Sequence, residues 1–146
     1  PDTAVTVNLD LGEDNDLHPQ DKREIAQRAA LAARGMVYGE DVPYRGPVPV
    51  SCTFEKGNVS IVFDTIYGGL LKTEDGQAPG EFCLAGRDGK FYPAECELQG
   101  NRVVLRSEGV AEPQAVRYAW GNAPRRGLLC SGQGLLAAPF KISRQD

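Results

Sequence analysis

Val48-Pro49-Val50-Ser51-Cys52-Thr53-Phe54-Glu55-Lys56-Gly57-Asn58-Val59-Ser60-Ile61-Val62-Phe63 is the stretch on which the fold turns. Side chains alternate along Val48–Glu55, Lys56-Gly57-Asn58 offers a turn, and a β-branched run resumes at Val59. Period two on both sides of a glycine turn is the mark of a β-hairpin. The same signals recur downstream. Glu81–Ala85 is expected to pair through Asp88-Gly89 with Phe91–Leu98, and Gln99-Gly100-Asn101 to turn into Arg102–Arg106. Pro113–Trp120 alternates again, with Val116, Tyr118 and Trp120 on one face, a pattern usual for sandwich core. Residues 67–80 and 121–134 read as loops, and a final short run ends near Phe140. Short strands separated by Gly and Pro turns, without a second helix, imply a mainly β chain folded as an antiparallel β-sandwich.

Upstream the pattern changes. Pro43, Gly46, Pro47 and Pro49 cluster in a stiff, extended connector, because proline fixes its own φ and restricts its predecessor. A domain boundary is therefore placed after residue 39, giving segments 1–39 and 40–146. Thr3–Asp10 alternates and reads as a strand. Asp21 and Glu24 form a capping pattern, and Ile25, Ala29, Ala32 or Ala33, and Met36 recur at helical spacing. Lys22, Arg23, Gln27 and Arg28 supply the wet side, and Gly35 or Gly39 ends the helix. Such a strand-loop-helix unit cannot bury itself alone; it reads as a piece of an α/β layer.

The chain of 146 residues carries a net charge of -4, with 41% hydrophobic and 25% charged residues. These values describe an ordinary globular protein and exclude the cationic footprint of nucleic-acid binding. No apolar run approaches the ~20 residues of a membrane span. Because the chain opens on Pro1 without an initiator Met, it is expected to be part of something longer. Cys52, Cys83, Cys96 and Cys130 lack Cys-x-x-Cys spacing, which argues against a zinc site. Cys52, in phase with Val48, Val50 and Phe54, and Cys96, in phase with Ala94 and Leu98, read as core residues. Free buried thiols are favoured, although an even count permits disulfides in an exported setting, periplasmic, extracellular or lysosomal.

The only histidine, His18, follows the loop Gly12-Glu13-Asp14-Asn15-Asp16-Leu17. An imidazole beyond the end of a strand is suited to proton transfer near neutral pH, although a lone His in a polar loop is more often surface decoration. The surrounding carboxylates read first as a solvated loop and helix cap, second as a means of tuning the imidazole, and only distantly as a metal site, so no metal or cofactor is expected. Trp120 with Tyr118, Tyr92 and Tyr67 would offer a sugar-stacking platform if they were exposed. Arg125-Arg126 would reach an acidic sugar, or simply face solvent.

Asp10-Leu11-Gly12-Glu13-Asp14-Asn15-Asp16-Leu17-His18-Pro19, the Ala-rich helix and Val37-Tyr38-Gly39 together resemble a block of the sialate O-acetylesterase family. The likeness continues in Phe82–Phe91, Val116–Trp120 and Leu135–Phe140. It implies the C-terminal part of a carbohydrate esterase of the SGNH/GDSL serine-hydrolase type, with residues 1–39 a remnant of its α/β domain. By that resemblance His18 is the general base and then general acid of a cofactor-free acetyl transfer through an acyl-serine. In the family the residue three before the His is often Asp; here it is Asn15, so Asp14, Asp16 or a carbonyl becomes an alternative orienting group. Ser51, Ser60, Ser107, Ser131 and Ser143 do not stand in the nucleophile settings of such enzymes. The nucleophile is thus expected on an upstream hydrolase segment, the chain alone is expected to be inactive, and the substrate is expected to be an O-acetylated sialic acid or other acetylated glycan. A non-catalytic carbohydrate-binding or scaffold module is the alternative.

Overall fold

A computed structural model describes residues 3–65 and 69–144 of the chain. Among the described residues one helix, α1 (Lys22–Met36), precedes ten strands. These are β1 (Val48–Glu55), β2 (Asn58–Asp64), β3 (Lys72–Thr73), β4 (Phe82–Ala85), β5 (Phe91–Pro93), β6 (Glu95–Gln99), β7 (Arg102–Arg106), β8 (Ala115–Tyr118), β9 (Leu129–Cys130) and β10 (Phe140–Ser143). One sheet runs β1-β2-β7-β6, a second β10-β8-β4-β5, and β3 pairs with β9 in a small third sheet. Every pairing is antiparallel. The fold is mainly β, 34% strand against 11% helix, as the hairpin signals imply.

The core lies between the two larger sheets. Val59, Ile61, Phe63, Val103 and Leu105 from the first meet Phe82, Leu84, Val116 and Tyr118 from the second. Tyr118 is fully buried between Phe82, at a 4.8 Å centroid distance, and Phe140, at 5.3 Å. Its hydroxyl accepts a 2.7 Å hydrogen bond from the Leu129 amide, joining β8 to β9. The opening hairpin forms as read: Glu55 pairs with Asn58, and Gly57 adopts a φ of 84°, which a two-residue turn here requires and glycine supplies without strain.

Several expectations need correction. Residues 91–98 are not one strand: β5 pairs with β4 in one sheet, β6 with β7 in the other, and Ala94 alone makes the crossing. Pro93, which has no N–H to give a ladder, ends β5 on the sheet edge. In β1 the register shifts between Pro49 and Ser51, so Val48 and Val50 face solvent while Cys52 and Phe54 pack on the core; the four are not in phase. Cys96, Ala94 and Leu98 do pack against the core together. The loops read at 67–80 and 121–134 contain β3 and β9, and the last strand begins, rather than ends, at Phe140. Thr3–Asp10 carries no strand ladder. Val7 and Leu9 instead rest against the sandwich core.

That segment is fastened to α1. Arg28 makes a bidentate pair with Asp10, at 2.7 and 2.6 Å, and also donates to the Val7 carbonyl at 2.7 Å. Both side chains are largely enclosed, 11% and 14% exposed, so Arg28 does not belong to the wet side of the helix. Asp21 caps α1 as expected, its Oδ1 accepting from the Glu24 amide. The apolar stripe of α1 is only partly covered: Ala32 is buried, whereas Met36, Val37 and Tyr38 are exposed. Gly35 does not end the helix; the Tyr44 ring of the connector lies where its Cβ would be.

Candidate active site

The loop that carries His18 is built from its own side chains. Asp14 and Asn15 occupy a tight turn closed by a bridge between Glu13 and Asp16. Asp16 then turns the chain outward: its Oδ1 accepts from the His18 amide at 2.8 Å, an Asx turn. Gln20 locks the base of the loop, donating from Nε2 to Asp16 Oδ2 at 2.9 Å and to the His18 carbonyl at 3.2 Å. Its amide donates to Glu13 Oε1 at 3.2 Å.

The imidazole projects from this frame with its side chain 87% exposed, and Nδ1 lies 3.6 Å from Asp16 Oδ1. Leu17 beside it is 95% exposed. Of the three candidate orienting groups, Asp16 is the one brought to the imidazole. Asn15 faces solvent on the turn. Asp14 is drawn the other way, onto Arg125 of the loop between β8 and β9, whose Nη2 lies 2.8 Å from Asp14 Oδ1. The same nitrogen donates to the Gly12 carbonyl at 3.0 Å. Arg125 is itself placed by its backbone amide, which donates to Glu81 Oε1 at 3.1 Å. A shallow cleft lined by Asn8, Gly12, Asp14, Asn122 and Pro124 runs between the two loops.

The hydrogen bond from the His18 amide, followed by that from Gln20, holds the Asp16 carboxyl below the usual carboxylate range. No described serine hydroxyl contacts the imidazole: Ser107 Oγ donates to the Pro93 carbonyl, and Ser131 Oγ accepts from the Leu135 amide. Ser143 ends β10. No group of three or more His, Cys, Asp and Glu among the described residues is arranged to hold a metal ion. Tyr118 is core and does not join an aromatic platform, and Tyr67 lies outside the described residues. Trp120 leaves the Val116–Tyr118 face because Ala119, at a φ of 48°, breaks the alternation. The clasp by Arg125 and the Asp10–Arg28 pair carry no local sequence signal, since each joins residues far apart in the chain.

No family model matches the chain. Among solved structures it is similar to a carbohydrate acetylesterase from Xanthomonas citri, with 38% identity and a TM-score of 0.89 over 96% of this chain and 32% of that one. By that likeness the chain resembles part of a carbohydrate esterase. Among curated proteins, mouse sialate O-acetylesterase is 26% identical over 99% of the chain and 28% of its own length. The human sialate O-acetylesterase is 28% identical over 96% and 29%. The chain thus spans less than a third of the relatives it matches, and is similar to the C-terminal part of a sialate O-acetylesterase-like carbohydrate esterase.

Proposed function

We propose that this chain is the part of a carbohydrate O-acetylesterase that brings the catalytic base, His18, to a nucleophilic serine carried by an upstream hydrolase segment. The observation that carries the reading is the imidazole itself, exposed at the tip of a braced loop with a carboxylate on its Nδ1 side. In a serine hydrolase the base takes the hydroxyl proton through one nitrogen, while a partner at the other fixes the ring. Asp16 suits that second position, and His18 Nε2 is left to face the hydroxyl. The exposed Leu17, and the bare stripe of α1 with Met36 and Val37, are surfaces the upstream α/β layer would cover. Residues 1–39 then belong to that layer and 40–146 form the accessory sandwich. The substrate would be an O-acetylated sialic acid or another acetylated glycan, and the chain alone would not turn over esters.

The test joins the chain to its upstream segment and measures acetate release from p-nitrophenyl acetate and from an acetylated sugar. The isolated chain is expected to be inert and the joined protein active. His18→Ala should lower turnover by about 10²–10⁴-fold, the range of a lost general base, with an unchanged circular dichroism spectrum. Full activity in His18→Ala would refute the assignment.

A further inference from the structure

We infer that in the esterase proposed above, a reading on which this one rests, Glu81 and Arg125 of the sandwich are positioning residues for the His18 base. Turnover then depends on the sheets as well as on the loop that carries the imidazole. The tether starts in the backbone. Glu81 and Ala119 are the two non-glycine residues at positive φ among the described residues, at 61° and 48°. They stand side by side, one position beyond the Phe82–Tyr118 pair of the β4–β8 ladder, and the Ala119 amide donates to the Glu81 carbonyl at 2.9 Å. A left-handed φ is costly for a residue with a Cβ and persists where the surrounding structure enforces it. Glycine would relieve position 81, but glycine has no carboxylate. Glu81 Oε1 accepts from the amides of Arg125 and Arg126, at 3.1 and 3.4 Å. Asp75 Oδ2 accepts from the next amide, that of Gly127, at 3.1 Å. Carboxylates of the sandwich thus hold three successive amides of the loop after β8, and Arg125 extends its side chain from that fixed backbone.

What the fixed loop holds is the turn ahead of His18. Arg125 Nη2 lies 2.8 Å from Asp14 Oδ1 and donates at 3.0 Å to the Gly12 carbonyl, 113 residues away in sequence. The bonds of Glu13, Asp16 and Gln20 are internal to the His18 loop and give it a shape. Among the described residues, the hydrogen bonds that cross from the sandwich to residues 11–20 come from Arg125, and they fix where that shape sits. Stability does not account for the arrangement. The Arg125–Asp14 pair is substantially exposed, so it contributes little to folding, and the φ of Glu81 works against it. Placement does account for it. A general base acts within hydrogen-bond reach of its hydroxyl, and a shift of about 1 Å can cost about a hundredfold in rate. An imidazole at the tip of an exposed loop is open to such a shift unless something outside the loop holds it.

The chain joined to its upstream segment is assayed with p-nitrophenyl acetate. Arg125→Ala should lower kcat about 10–100-fold, with KM within about twofold and a thermal midpoint within about 2 °C of the parent. Arg125→Lys should recover part of the loss, because an ammonium retains the charge without the planar geometry. Glu81→Gly removes the anchor and relieves the backbone, so kcat should fall while stability holds or rises. A purely structural Glu81 would move the two together. Arg126→Ala deletes the same charge one residue along and should keep the parent's kcat. His18→Ala is run alongside, and full activity there overturns the esterase reading and the tether with it. An inert His18→Ala beside an Arg125→Ala of unchanged kcat overturns the tether alone. So does a loss confined to KM, or a loss in Arg126→Ala equal to that in Arg125→Ala.

Discussion

Asp16 holds the outward turn at His18 through bonds that an ionised carboxylate accepts from the His18 amide and Gln20 Nε2. Its folded pKa is depressed, so the ordering it gives is present above the unfolded value of about 4 and is lost as pH falls through the lower folded one. Acid titration by ¹H–¹⁵N NMR should show the His18 amide and the Gln20 carboxamide protons moving together below about pH 4. Asp16→Asn should largely remove that transition. Tyr118 makes a second residue-scale case. Tyr118→Phe keeps the ring but strands the buried Leu129 amide, at a cost of about 1–3 kcal/mol in denaturant unfolding. His18 was legible because it is unique and sits in a recognisable block of residues. The group beside it was not, since Asp14, Asn15 and Asp16 differ only in where a turn points them. Trp120 misleads for a related reason: period two assigns faces only while the backbone stays extended, and Ala119 does not.

Elements with a strong local cause could be read directly: the Lys56-Gly57 hairpin, the β6–β7 turn with Gly100 in the left-handed region, and the Asp21 cap of α1. The break between β5 and β6 could not. Phe91–Leu98 is one strand by pattern, and only the demands of two opposed sheets divide it at Ala94. The Arg125 clasp likewise belongs to tertiary structure, for it lets the loop after β8 grip the loop that carries His18. Both partners are substantially exposed, so the pair adds only about 0.5 kcal/mol to stability. Arg125→Ala should therefore leave global unfolding almost unchanged while hastening amide exchange at Asp16 and His18. Arg125→Lys, which keeps the charge but not the fork, should restore protection only in part. Unaltered exchange in Arg125→Ala would show that the Gln20 and Asp16 bonds hold the loop unaided.

Across the whole molecule the four cysteines are all unpaired. Burial pushes the Cys52 thiol up to about 11 and, with a smaller contribution from Glu97, the Cys96 thiol up to about 12. Burial raises Cys83 and Cys130 as well. Near pH 8 the native thiols are therefore protonated, and Ellman's reagent should react slowly until denaturant is added, whereupon four equivalents should appear without reductant. Fewer than four would reveal a disulfide.

Strand β3 has a single sheet neighbour, β9, with Lys72 opposite Cys130. That pairing cannot close until β9, far along the chain from β3, has left the ribosome, and β10 emerges later still to lie beside β8. Such non-local partnerships slow the search for the native state. Early hairpins such as β1–β2 would wait with an apolar face uncovered, leaving the nascent chain open to aggregation until β8 and β10 arrive.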